Sequence, residues 1–103
     1  MNLSEYQQWT RTTAIYPAET ALQYVTLGLA SEVGEVADVL KKEIRDGDDR
    51  KDSMRKELGD VLWYLARVAD ELGTDLGEIA ADNVAKLHDR QERGKLRGSG
   101  DDR

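Results

Sequence analysis

Apolar residues recur every three or four positions along most of this chain, the spacing that gathers them on one face of an α-helix. The longest such stripe is Leu22, Val25, Leu29, Val33, Val36, Leu40 and Ile44. It predicts a helix from about Ala18 to Arg45, with Pro17, the only proline, at its opening. A second stripe, Met54, Leu58, Val61, Leu65, Val68 and Leu72, predicts another helix that stops at Gly73. Between the two, Asp46-Gly47-Asp48-Asp49 reads as a turn. A further helix carries Leu76, Ile79, Ala80, Val84 and Leu87 and ends at Gly94. Thr74 or Asp75 caps it, with Glu78 as the box partner of Asp75. Ahead of all three, Ser4 with Gln7 three residues on predicts a short first helix running through Tyr6 and Trp9 to about Thr13. Lys95 to Arg103 is rich in Gly, Ser and charge, and is expected to be a mobile tail. There is no strand pattern and no internal repeat. The expectation is an all-α fold: one domain over residues 1–94, a four-helix bundle-like protomer that oligomerises through its helices, and a tail over 95–103.

Composition narrows the classes of function. The chain has 103 residues, 39% apolar and 35% charged, with no Phe. A chain this short buries only a modest core, so a deep site calls for a second copy. The net charge of −6 argues against a nucleic-acid polymer as partner, because that contact needs clustered Lys and Arg. A negative protein still binds nucleotides where metal ions bridge the two. Without cysteine there is no disulfide and no thiolate metal site. Met1 to Trp9 lacks a signal-peptide pattern, and no apolar run approaches the roughly 20 residues that span a bilayer. The expected setting is the cytoplasm, away from membranes.

Four acids mirror one another about the central turn. Glu35 lies eleven residues before Asp46 and Glu57 eleven after it; Glu32 and Asp60 lie fourteen away on either side. If the flanking helices are antiparallel, the two pairs meet at the same height. Each pair has i,i+3 spacing, which puts both side chains on one helix face. Acid pairs at this spacing recur along the chain, as in Asp49/Asp52 and Asp89/Glu92, and most are solvated helix faces. Placement distinguishes the quartet. Glu32 and Glu57 border the apolar stripes, where an unpaired charge is costly, and Asp60 is followed by Trp63 and Tyr64 at i+3 and i+4. Gly28, Gly34 and Gly59 stand beside these acids, each at a cost of about 1 kcal/mol relative to Ala in a helix interior. Either plain helix–helix packing or the close approach of a ligand accounts for them.

Clustered carboxylates repel one another unless something positive lies between them. An EF-hand starting at Asp46 has Asp48 and Glu57 in place but fails at Arg50 and at Lys51, where the turn needs Gly. A di-iron bundle needs two Glu-x-x-His motifs, and the only histidine, His88, has Ala85 three residues before it. Zinc lacks its Cys and a second His. An all-oxygen site for Mg2+ or Mn2+ remains.

Three segments, Gly28-Leu29-Ala30-Ser31-Glu32-Val33-Gly34-Glu35-Val36-Ala37-Asp38, Glu57-Leu58-Gly59-Asp60-Val61-Leu62-Trp63-Tyr64-Leu65 and Asn83-Val84-Ala85-Lys86-Leu87, resemble the MazG-like nucleotide pyrophosphohydrolases. The resemblance covers roughly residues 4 to 92. It implies Mg2+-dependent hydrolysis of a nucleoside triphosphate to the monophosphate and pyrophosphate, a house-cleaning role in the nucleotide pool. It assigns the metal to Glu32, Glu35, Glu57 and Asp60, and it implies a homodimer or homotetramer. Some relatives carry an extra acid where this chain has Ser31, which leaves the number of metal ions open.

Glu32 or Glu35 is the candidate to activate water. Asn83, Lys86 and Arg90 share one face of the last helix and are candidates to hold phosphate or sugar; the competing reading pairs Lys86 and Arg90 with Asp82 or Glu92. Trp9, Trp63 and Tyr64 are candidate walls for a base. Trp9 sits among Gln7, Gln8 and Thr10, which read as an amphipathic surface. His88 has no motif around it. The competing function is a non-catalytic helical module that uses its stripes for oligomerisation and its acids for solubility.

Overall fold

The computed structural model describes all 103 residues and is entirely helical. Helix α1 spans Leu3–Thr10 and continues into a 3₁₀ turn at Arg11–Thr13. After a second 3₁₀ turn at Ala18–Thr20, α2 spans Ala21–Asp46, α3 spans Lys51–Glu71 and α4 spans Leu76–Glu92. The two long helices therefore lie where the stripes predict them, although α2 opens at Ala21 because the residues after Pro17 take the tighter turn first. The connection between α2 and α3 is four residues long, and Gly47 turns the chain with φ +69°, a left-handed value that disfavours any Cβ. Gly73 does the same after α3, at φ +73°.

α2 and α3 pack along one another, and α1 lies across the far part of α3 and against α4. The buried core there is small: Ala66, Ala69 and Leu76, with Tyr6 and Leu62 packed against them. On α2 only Val25 is buried. The stripes are split rather than fully covered. Leu29, Val36, Val61 and Val68 are half-buried in the hairpin, while Val33, Ile44, Leu58 and Leu72 are more than half exposed. The radius of gyration is 16.6 Å, against about 13 Å for a compact chain of 100 residues. No helix is long and apolar enough to cross a membrane.

Polar groups fix the position of α1. Its cap is Asn2, whose side chain accepts from the Glu5 amide while Glu5 reaches back to the Asn2 amide. Ser4, expected to cap, instead donates to Asp75 at 2.7 Å and ties the start of α1 to the start of α4. Asp75 is the cap of α4, accepting from the amides of Gly77 and Glu78. Gln7 and Thr10 are buried, which leaves Gln8 as the exposed polar neighbour of Trp9. Gln7 donates to Asp70 and to the Thr74 carbonyl and accepts from the Leu76 amide. Arg67, only 4% exposed, bonds Asp70, Thr10 and Tyr16. Asp70 also receives Arg11 at 2.7 Å, and these donors, Arg11 foremost, hold its carboxyl well below the usual range.

The tail folds back. Arg103 donates to the carbonyls of Lys95, Leu96 and Gly100, and Asp101 meets Lys86 and Arg90 on α4.

Candidate metal centre

The antiparallel hairpin sets the acids against each other near its middle. Glu32 on α2 and Glu57 and Asp60 on α3 each offer a carboxylate oxygen, and these oxygens all lie within 4.8 Å of one another. Glu32 and Glu57 are half-buried; Asp60 is exposed. Glu35 is exposed and stands outside this trio. The helix explains the difference: residues three apart are rotated by about 60°, so Glu32 can face the seam while Glu35 turns toward solvent.

Burial raises the pKa of Glu32 first, and the charges of Asp60, Glu57 and Glu35 raise it further. The charged groups that raise it are all acids. The trio is thus a set of oxygen donors with a negative field. That is the donor chemistry of a hard divalent cation, whose charge would reverse the cost of bringing the carboxylates together.

The surroundings are aromatic on two sides. Tyr64 lies close enough to Glu32 and Asp60 for their charges to raise its pKa, which burial raises more. Its ring occupies the space over Gly28: a Cβ there would fall 2.1 Å from the nearest ring carbon. Gly28 is therefore explained by packing. Gly34 and Gly59 have nothing within 4 Å of such a Cβ, and nothing in the protomer explains them. Trp63 meets Tyr64 edge-on at 4.9 Å and donates to Thr13 at 2.8 Å. With Ile15, Tyr16, Pro17 and Tyr24 they line an open pocket of about 320 Å³. Tyr16 stacks on Tyr24 at 5.5 Å. Tyr16 and Tyr24 escaped notice in the sequence. Their one signal is Tyr24 at i−4 from Gly28, itself i−4 from Glu32, which puts all three on one face of α2.

On the other side, Tyr6 feels the charge of Asp60 and stacks with Trp9 at 6.3 Å. Trp9 itself is half exposed. Tyr6 helps to line a second, larger pocket of about 610 Å³ between α1, α3 and α4. The candidates on α4 are not gathered here. Asn83 is exposed, Lys86 and Arg90 are engaged by Asp101 of the tail, and none of the three bears on Glu32. Neither Asp82 nor Glu92 pairs with them; Glu92 faces the exposed His88 instead.

A two-helix hairpin that brings Glu32, Glu57 and Asp60 together, with no strand, is a candidate helical carboxylate centre. Residues 20–94 match the MazG nucleotide pyrophosphohydrolase domain, and the chain belongs to that family. It is similar over its full length to the Gene 37 protein of Mycobacterium phage L5, at 40% identity in an alignment 114 positions long that also spans the whole of that protein. No solved structure matches the chain.

Proposed function

We propose that this chain hydrolyses nucleoside triphosphates, non-canonical or deoxy forms included, to the monophosphate and pyrophosphate in a Mg2+-dependent reaction. Mn2+ is the alternative ion. The observation that carries the proposal is the convergence of Glu32, Glu57 and Asp60 within 4.8 Å in a member of the MazG family. These three carboxylates are the proposed ligands, with Glu35 beside them. A bound Mg2+ would offset the charge of the phosphates and acidify a coordinated water.

The chain's own groups supply the rest. Once Glu32, Glu57 and Asp60 are committed to the ion, Glu35 is the free carboxylate of the two candidates for orienting and deprotonating the attacking water. Tyr64 and the pocket it shares with Trp63, Tyr16 and Tyr24 offer flat apolar walls one to two helical turns from the acids, suited to a base. Trp9 is a second candidate wall, reached through Tyr6. Asn83, Lys86 and Arg90 on α4 remain the candidates for phosphate and sugar.

A homodimer or homotetramer fits the exposed stripes. Leu58 and Leu72 on α3, Val33 and Ile44 on α2 and Val84 on α4 are all more than half exposed, an amount of apolar surface that a second copy would cover. We further propose a cytoplasmic setting and a working domain of residues 1–94.

The test is a product assay with a panel of canonical and modified triphosphates, with and without Mg2+, beside Glu57→Gln. Pyrophosphate plus monophosphate, lost without the ion and in the variant, is the expected result. Turnover that persists in Glu57→Gln, or release of orthophosphate, would overturn the assignment.

A further inference from the structure

The buried polar network at the end of α3 reaches the aromatic pocket through one side chain. Arg67 is buried, and its guanidinium is a planar fork of donors. Nη1 donates to Asp70 at 2.8 Å and to Thr10 at 3.3 Å, and Nη2 donates to Glu71 at 3.4 Å. These bonds lie within α3 or tie it to α1. Nε serves another end: it donates to the Tyr16 hydroxyl at 3.0 Å. That hydroxyl donates in turn to Glu71 at 2.7 Å, so Arg67, Tyr16 and Glu71 form a closed ring of hydrogen bonds.

Tyr16 has no helix of its own to hold it. It stands between the two 3₁₀ turns, flanked by the exposed Ile15 and Pro17. Connecting segments of this kind are the more mobile parts of a fold, so a ring carried on one needs its far end fixed. The hydroxyl is that far end. The ring itself faces the pocket, stacked on Tyr24 at 5.5 Å and edge-on to Trp63 at 6.5 Å. Trp63 is tied back to the same network. Thr13 accepts from its indole at 2.8 Å and donates to the carbonyl of Thr10, whose hydroxyl Arg67 reaches. Two walls of the pocket are thus set by hydrogen bonds that lead to Arg67.

We propose that Arg67 is a positioning residue, which through Tyr16 fixes the spacing of the aromatic walls so that the pocket is formed before a base enters it. The role in substrate binding rests on the pyrophosphohydrolase reading of the site; the tether from Arg67 to Tyr16 does not. Walls already in place spare the ordering of a side chain on binding, which is worth roughly two- to tenfold in affinity for each one. The base is held alike in the ground state and the transition state. The gain therefore falls on KM and leaves kcat unchanged.

The experiment cuts the tether from each end in the full chain. Tyr16→Phe keeps the ring and removes the hydroxyl. Arg67→Lys keeps a cation beside Asp70 and removes the Nε donor. Circular dichroism checks the fold, and Tyr16→Phe carries the test if Arg67→Lys loses helicity. Two readouts are taken: KM and kcat for the best triphosphate, and acrylamide quenching of Trp63 with Trp9→Phe added, so that Trp63 is the only tryptophan. Each variant should raise KM by the roughly two- to tenfold of one unordered side chain, with kcat unchanged, and should make Trp63 easier to quench. The double variant should be no worse in KM than Tyr16→Phe alone, because Arg67 acts through the hydroxyl already removed. Quenching that does not move in Tyr16→Phe would overturn the tether, whether or not any triphosphate is turned over. Quenching that rises while KM stays put would overturn the role in substrate binding and with it the pocket as the site of the base. A fall in kcat as large as the rise in KM, or additive losses in the double variant, would reduce Arg67 to a general support of the fold and overturn the positioning role.

Discussion

Replacing Gly28 by Ala tests whether Tyr64 is locked over α2 beside the acids. A Cβ at Gly28 would meet three atoms of the Tyr64 ring at 2.1, 2.5 and 2.6 Å. Carbon atoms pack best at about 3.5 Å or more, so the ring must retreat by about 1.4 Å (3.5 less 2.1). It is not free to do so without loss, because its other side packs on Trp63 with 4.9 Å between ring centroids. Overpacking of this kind costs about 1–3 kcal/mol. Helix propensity works the other way, since Ala is about 1 kcal/mol better than Gly inside a helix. Gly34→Ala isolates that second effect: Gly34 is on the same helix, exposed, with nothing within 4 Å of the new methyl. In urea unfolding followed by circular dichroism, Gly34→Ala should gain up to about 1 kcal/mol. Gly28→Ala should fall below it by the overpacking cost, about 1–3 kcal/mol. Trp63 fluorescence should change in Gly28→Ala alone. Equal gains in the two variants, with the fluorescence unmoved, would mean that Tyr64 swings away freely and would refute the packing argument.

Mg2+ at a hundred times its dissociation constant should stabilise the protein by about 2.7 kcal/mol, a rise in Tm on the order of 10 °C, and Glu57→Gln should abolish the rise; differential scanning calorimetry reads both. Tyr64→Ala should raise the KM for the preferred triphosphate about tenfold with a smaller effect on kcat, the worth of one stacked base. Asp70→Asn should cost on the order of 2 kcal/mol in urea, because it removes the nearer of the two carboxylates of the buried Arg67, at 2.8 Å, and leaves Glu71 at 3.4 Å. Since the folded state holds Asp70 below its ordinary pKa, the stability it contributes is present above that ordinary value and is lost as pH falls through the lower, folded one. The acid side of a Tm–pH profile should therefore be flatter in Asp70→Asn than in the parent chain.

The helices were legible because a period of three to four needs no knowledge of what lies opposite. Gly47 and Gly73 marked ends because their backbone is left-handed, and Asp75 marked a start because its oxygen reaches the next free amides. The period does not say what covers a stripe, so Leu58 and Val33 read as seam residues although they are more than half exposed. Long-range polar contacts were hidden for a related reason. Ser4 and Asn2 are both good caps, and the choice was made by Asp75, 71 residues from Ser4. Gln7 reads as surface by type, yet its partners Asp70, Thr74 and Leu76 take it into the interior. At the acids, mirror spacing brought out all four residues, but it cannot resolve a rotation of about 60° on a helix. That rotation separates Glu35 from the other three. Composition likewise carries no trace of the carbonyls that Arg103 and Arg90 find in the tail.

The two halves of α3 do opposite things to stability, and this bears on how the site would work. Toward its end, Arg67 and Asp70 close a buried polar network with α1, every member of which has its partner. About two turns earlier, Glu57 and Asp60 face Glu32, and the three carboxylates repel one another. Repulsion there works against the same α2–α3 pairing that the half-buried valines of the hairpin favour. Asp60 and Arg67 are seven residues, about 10 Å, apart along the helix, more than a Debye length of about 8 Å at physiological salt, so the network does little to offset the acids. The hairpin is thus fastened at one end and strained in the middle. A divalent cation bound there would turn the middle from repulsive to attractive. Under the proposed function, the ion that serves the reaction would also complete the packing of the helices that hold it.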